Sequence, residues 1–280
     1  MSSRAEAEEV LRSAGRREDA EIDLAEVALA FASLDRPGVA LASYRTHLDE
    51  LAGDVASAYA RPAAGVDGIG AMLSALSGAI HRQHGYRGDT ETYDDLQNAN
   101  LMRVIDRRRG LPITLGILYL HTARRHGWRL AGLNFPGHFL LRLEDRGRSV
   151  IIDPFGGGRI MEPEDLRGFL KRNSGPEAEL RPEHHAPASN LQILLRLQNN
   201  IKVRLLAEGR VESALAVVDS LLLLAPGVAM LWHEAGLLHA RLGSLRAAIV
   251  AFQHAVELAA DATSRQRFGA QLEHLRSRLN

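Results

Sequence analysis

The chain contains no cysteine among its 280 residues. It can therefore form no disulfide, no thiolate metal site and no cysteine nucleophile. An excess of one charge is also lacking, because 34 Lys and Arg balance 34 Asp and Glu. No global field draws in nucleic acid or anionic lipid, so neither is expected as a partner. Long hydrophobic runs are missing as well. The longest apolar stretches, such as 113–120 and 221–225, fall far short of the roughly 18 residues that cross a bilayer, and no membrane association is expected. The start of the chain is polar and rich in both charges, with no basic opening that leads into an apolar stretch, from which a cytoplasmic location is expected. Aromatics are scarce at 5% while Ala and Leu abound, a balance that favours helices. At about 150 residues per domain the length suggests two domains, each able to bury a core without covalent staples.

Apolar residues recur at three and four residues through Leu24, Val27, Ala28 and Phe31, and again through Leu41, Tyr44, Leu48, Leu51 and Val55. This predicts two amphipathic helices, joined by a turn at Asp35–Gly38. A third helix is expected over 69–83, followed by a polar loop over 84–98. Residues 101–109 read as a short helix that ends at Gly110. Pro112 then suits the first turn of a new helix, and Gly127 suits its C-terminal cap. Between them Ile113, Leu115, Ile117, Leu118, Tyr119, Leu120 and Ala123 leave little polar face, which predicts a buried, central helix. The period then changes to two, and strands are expected over 129–135, 138–144 and 148–153, the last two joined around Arg146-Gly147. A Pro-rich linker or surface strap is expected over 174–189.

Beyond it every segment reads as helical, and a shift of 34 residues superimposes Gly209 on Gly243 and Ala214 on Ala248. Trp232, Gly236, Ala248, Phe252 and Ala255 resemble the tetratricopeptide pattern, a pair of antiparallel helices whose small residues allow close approach. The first unit keeps only Ala214 and the closing Pro226, and 264–279 reads as a capping helix. Trp232 and Phe252 fall at core positions of such a solenoid.

The run NANLMRVIDRRRGLPITLGILYLHTARRHGWRLAGLNFPGHFLLRL and the later IIDPFGGG resemble the transglutaminase-like core, a papain-like α+β fold. More closely they resemble the bacterial family named after the Sir B invasion regulator, in which such a domain precedes tetratricopeptide units. The resemblance runs from the turn near Asp35 through the helix at 199–206. It implies a helix-rich transglutaminase-like domain with a small antiparallel sheet, followed by an all-α tetratricopeptide domain. The expected boundaries are a polar segment over 1–18, the first domain over 19–173, the linker over 174–189 and the helical domain over 190–280.

In active members of the transglutaminase-like group the resemblance implies a Cys opening the central helix, a His on a following strand, and an Asp before a proline on the next. His138 in PGHF and Asp153 in IDPF match the last two, whereas Pro112 stands where the nucleophile belongs. The expected function is a non-catalytic, protein-binding or regulatory module without a cofactor or metal. The partner would be met through the tetratricopeptide region or the transglutaminase-like cleft, and the sequence does not specify an oligomeric state. The rival reading is a hydrolase or acyl transferase that uses a non-thiol nucleophile or a water activated by His138. For such chemistry the Thr114 hydroxyl would need a base within hydrogen-bond reach. Residues expected to bind are Arg107, Arg108, Arg109, Gly137, His138, Asp153 and Phe155. The three arginines could meet an acidic partner or hold carboxylates of their own domain. Gly156-Gly-Gly158 is read as a place of close backbone approach, since no phosphate-loop pattern surrounds it. His184-His185 lacks a third ligand at useful spacing.

Overall fold

The computed structural model describes residues 4–62, 65–66 and 68–277. They form two compact units. Residues 18–197 make up the first, and residues 5–17, together with the described residues from 198 onward, make up the second. Helix α1 (Arg4–Gly15), all but its first residue in the second unit, buries Ala7, Leu11 and Ala14 along one side.

The first unit is built on helices. The Asp23 side chain accepts from the backbone N–H groups of Ala25 and Glu26, satisfying two orphan donors, and so starts α2 (Leu24–Leu34). Helix α3 (Ala42–Tyr59) buries Tyr44, Leu48, Leu51, Ala52 and Val55, the expected three-and-four series. The third predicted helix is regular only over α4 (Gly68–Ser77), after which Gly78–Gln83 widens into a π-helical turn. The polar loop that follows carries strand β1 (Arg87–Gly88). Asn100 then caps α5 (Leu101–Arg107). That helix stops two residues before the expected end. Arg108 turns left-handed at φ 59°, and strand β2 (Arg109–Gly110) lies parallel to β1, so these residues give their backbone to a ladder instead of a helix.

Helix α6 (Pro112–Arg125) begins at the predicted proline and buries eleven of its residues, and Gly127 follows at φ 67°. It is the central helix the sequence promised. Strands β3 (Arg129–Gly132), β4 (Leu141–Asp145), β5 (Arg148–Asp153) and β6 (Arg159–Ile160) form one antiparallel sheet in that order. The register pairs Glu144 with Ser149 across the Arg146-Gly147 turn. His138 was expected on a strand but lies in a bend before β4. Pro136 has no N–H to give a ladder and Gly137 sits at φ 70°, so pairing resumes only later. Helix α7 (Pro163–Ser174) follows the sheet. Within residues 174–189, Asn134 N–H donates to Ala186 O and Ala188 N–H to Gly132 O, so this stretch is strapped along the β3 edge.

Helix α8 (Asn190–Ala207) leads from the strap, and the division between the units falls inside it. In the second unit α9 (Val211–Leu224), α10 (Ala229–Arg241), α11 (Leu245–Leu258) and α12 (Ala262–Ser277) follow one another through short turns. The period of 34 is visible in the backbone. Gly209 and Gly243 have φ 74° and 75°, and the bonds Arg210 N to Leu205 O and Ser244 N to His239 O repeat at the same offset. Ala214, Ala248, Phe252 and Ala255 are buried. A Cβ on Gly236 would stand 3.0 Å from the Phe252 ring, a tight approach that a small residue avoids. Gly15 meets a tighter limit, with the Leu224 carbonyl oxygen 2.1 Å from where its Cβ would be.

Candidate functional site

His138 and Asp153 meet. The Nε2–H of His138 donates to Asp153 Oδ1 over 2.8 Å, and both side chains are nearly buried, at 10% and 7% exposure. The bend at Pro136-Gly137 carries His138 to the end of β5, where Asp153 stands just before a turn. Its Oδ1 also accepts from the Phe155 N–H at 3.0 Å, and its carbonyl accepts from the Gly158 N–H at 2.8 Å. The histidine face stacks on Phe169 of α7 at 4.6 Å and 26°, and its ring meets Phe155 nearly at right angles at 6.1 Å. Gly137 lies close against Asn173, whose Cγ is 2.4 Å from where a Cβ would stand, so no larger residue fits there without a shift. The imidazole is thus oriented by a carboxylate and stacked against α7.

Phe155 lies against β1, since a Cβ on Gly88 would stand 2.6 Å from its ring atoms. Gly158 makes the close approach expected of the triple-glycine run, with Ser77 Oγ at 2.3 Å and Tyr119 Oη at 2.5 Å from its Cβ position. Behind them is a chain of polar groups that the sequence reading missed. His81 donates from Nδ1 to the Tyr86 carbonyl at 2.5 Å, so its Nε2 accepts from the Tyr119 hydroxyl at 2.7 Å, and Ser77 Oγ lies 3.4 Å from that hydroxyl. Burial pushes His81 down and Tyr119 up, so both stay neutral near pH 7. His81 sits in the π-helical turn, whose extra residue no 3.6-residue pattern reveals.

The nucleophile position is filled by packing. Pro112 opens α6 and is buried. Thr114, fully buried, donates its hydroxyl to Asn98 O at 2.8 Å and Leu111 O at 2.9 Å. Neither acceptor is a base. Arg107 donates to Asn98 Oδ1 and Asp89 Oδ2, both at 3.0 Å, so Asp89, Arg107, Asn98 and Thr114 form one polar network at the helix start. Burial alone would raise Asp89. Hydrogen bonds from Thr92 and Arg107 more than reverse this and hold its carboxyl well below the usual carboxylate range. Arg109 donates to Glu91 at 2.7 Å, and Arg108 engages Tyr86 Oη and His47 Nε2. All three arginines thus have partners within their own unit.

His184 accepts from the Arg181 N–H at 3.2 Å, and among the described residues no group of three or more His, Asp or Glu could hold a metal ion. No helix among the described residues is long and apolar enough to cross a membrane.

Comparison with known proteins agrees with this architecture. The transglutaminase-like superfamily matches residues 42–199, and the tetratricopeptide repeat matches residues 201–273. A UPF0162 protein of Vibrio cholerae is 32% identical over 188 residues, which cover 67% of this chain and 69% of the relative. A UPF0162 protein of Pseudomonas aeruginosa is 31% identical over 253 residues, 90% of each chain. Protein SirB1 of Salmonella typhimurium is 30% identical over 187 residues, covering 66% of this chain and 69% of its own.

Proposed function

The chain belongs to the transglutaminase-like superfamily and carries tetratricopeptide repeats, and from that premise we propose that it is a non-catalytic protein-binding or regulatory module of the cytoplasm. The observation that carries this reading is the start of α6. Pro112 offers no nucleophile, the chain has no cysteine, and the one nearby hydroxyl, on Thr114, is committed to two backbone carbonyls. Proton transfer from Thr114 would need a base in contact, and His138 instead bonds Asp153. The oriented imidazole then serves as a structural or ligand-positioning pair. The partner is a protein, engaged through the tetratricopeptide region or the transglutaminase-like unit. Exposed Met230 and Leu237 on α10 and Val250 and Leu258 on α11 give the repeat region apolar contact points.

The test uses the full chain in two assays, amine incorporation into a glutamine-containing peptide and peptide hydrolysis, with His138→Ala as control. Equal background from both proteins is expected. Turnover that disappears in His138→Ala would refute the reading and establish the rival, a hydrolase or acyl transferase working through a His138-activated water.

A further inference from the structure

The tip of the β4–β5 hairpin borders a cavity of about 540 Å³, lined in part by Met72, Trp128, Arg129, Asp145, Arg146 and Arg148. That volume lies within the roughly 300–1,000 Å³ of ligand-binding pockets. Its charges are unequally engaged. Glu144, also in the lining, accepts from Arg142 at 2.6 Å. Asp145 stands against the start of α4, its Oδ2 3.0 Å from where a Cβ on Gly68 would be, and there its charge suits the helix dipole. By contrast, no ion pair involves Arg129, Arg146 or Arg148 among the described residues, and all three are exposed.

Arg146 also holds a costly backbone. The two-residue turn puts it at φ 48° and Gly147 at φ 79°, positions where Asn-Gly would be relaxed and a long side chain is strained. Beside the cavity Trp128 packs edge-on against the partly exposed Tyr59 at 4.8 Å. Arg, Trp and Tyr are the side chains that dominate protein–protein hot spots.

We propose that this cavity binds an acidic segment of a protein partner, with carboxylates meeting Arg129, Arg146 and Arg148 and an apolar side chain resting on Trp128 and Met72. The inference rests on the protein-binding reading above and gives it a surface and a partner chemistry. A single small anion fits less well. Arg129 lies opposite Glu144 and Arg148 opposite Asp145, consecutive residues of β4, so the two cations leave the sheet on opposite faces and do not converge on one point. Carboxylates spaced along a peptide match that spread, and an arginine fork takes each of them in two-point contact.

The probe is a pool of short random peptides displayed on phage, panned at low salt against the full chain. Enriched sequences should combine acidic residues with an aliphatic or aromatic one. The most enriched peptide, synthesised, should lose about tenfold or more in affinity for Arg129→Gln/Arg148→Gln and weaken for Arg146→Gly. Arg146→Gly should melt no lower than the parent, because glycine relieves the strain, so its loss of binding cannot be put down to unfolding. Enrichment without acidic bias, or affinity unchanged in these variants, overturns the proposal. So does displacement of the peptide by free phosphate or citrate at concentrations equal to its own. Turnover in the activity assay would refute the non-catalytic reading and leave this result standing, whereas unchanged affinity refutes the docking surface alone.

Discussion

Asp89→Ala tests the polar network that fills the start of α6. The carboxylate side chain is fully buried and accepts from four donors: Glu91 N at 3.2 Å, Thr92 N at 2.9 Å, Thr92 Oγ1 at 2.7 Å and Arg107 Nη2 at 3.0 Å. Hydrogen bonds to a charged group contribute about 1.5–3 kcal/mol each. The sum overstates the loss, because Glu91 and Thr92 are exposed and their donors can turn to water. Arg107 keeps Asn98 and about a quarter of its side chain in solvent, so it is not stranded as a fully buried ion would be. A net destabilisation of roughly 2–3 kcal/mol follows, a lowering of the midpoint by about 4–12 °C. Fluorescence can isolate the first unit. The chain has two tryptophans, Trp128 in the first unit and Trp232 in the second, so a Trp232→Phe background reports on the first alone. The acid limb adds a sign. A carboxyl whose folded pKa is depressed contributes stability above its unfolded value of about 3.9, and that contribution is lost as pH falls below it. The gap between parent and Asp89→Ala should therefore narrow below about pH 4. A variant within about 0.5 kcal/mol of the parent at neutral pH, or a gap that does not narrow in acid, would refute the network.

Two further outcomes are expected. Gly116→Ala, which would stabilise an exposed helix, should destabilise this one by about 1–3 kcal/mol in urea, because the new methyl would stand 2.5 Å from Phe139 Cε1; a neutral or stabilising result would mean the ring can move away. His47 is pushed down to about 4 by burial and by the Arg108 cation, so NMR titration should find its imidazole neutral through pH 5; since the unfolded chain takes up that proton near pH 6.5, His47 should make the first unit less stable as pH falls from about 6.5 to about 4, and a midpoint near 6.5 in the folded protein would refute this.

Much of the architecture was legible in the sequence because local chemistry fixed it. Pro112 and Gly127 bracket α6 whatever surrounds it, since one lacks an N–H and the other reaches positive φ without strain. The apolar series of α2 and α3 and the 34-residue offset of Gly209 and Gly243 are likewise properties of the chain read a few residues at a time. The missing sulfur and the proline at the head of α6 could be read the same way. Tertiary structure decided the rest. Ending α5 at Arg107 depended on β1 pairing with Arg109-Gly110 from a loop about twenty residues upstream. The meeting of His138 with Asp153 depended on a bend that left the strand pattern, and that bend lies against Phe169 and Asn173 on a helix the sequence reading had not used. The π-helical turn that aims His81 at Tyr119 follows no helical period, and the grouping of residues 5–17 with the C-terminal helices joins segments almost two hundred residues apart. Spacing along the chain sets which face a side chain occupies. Which distant face it meets is settled only when the cores close.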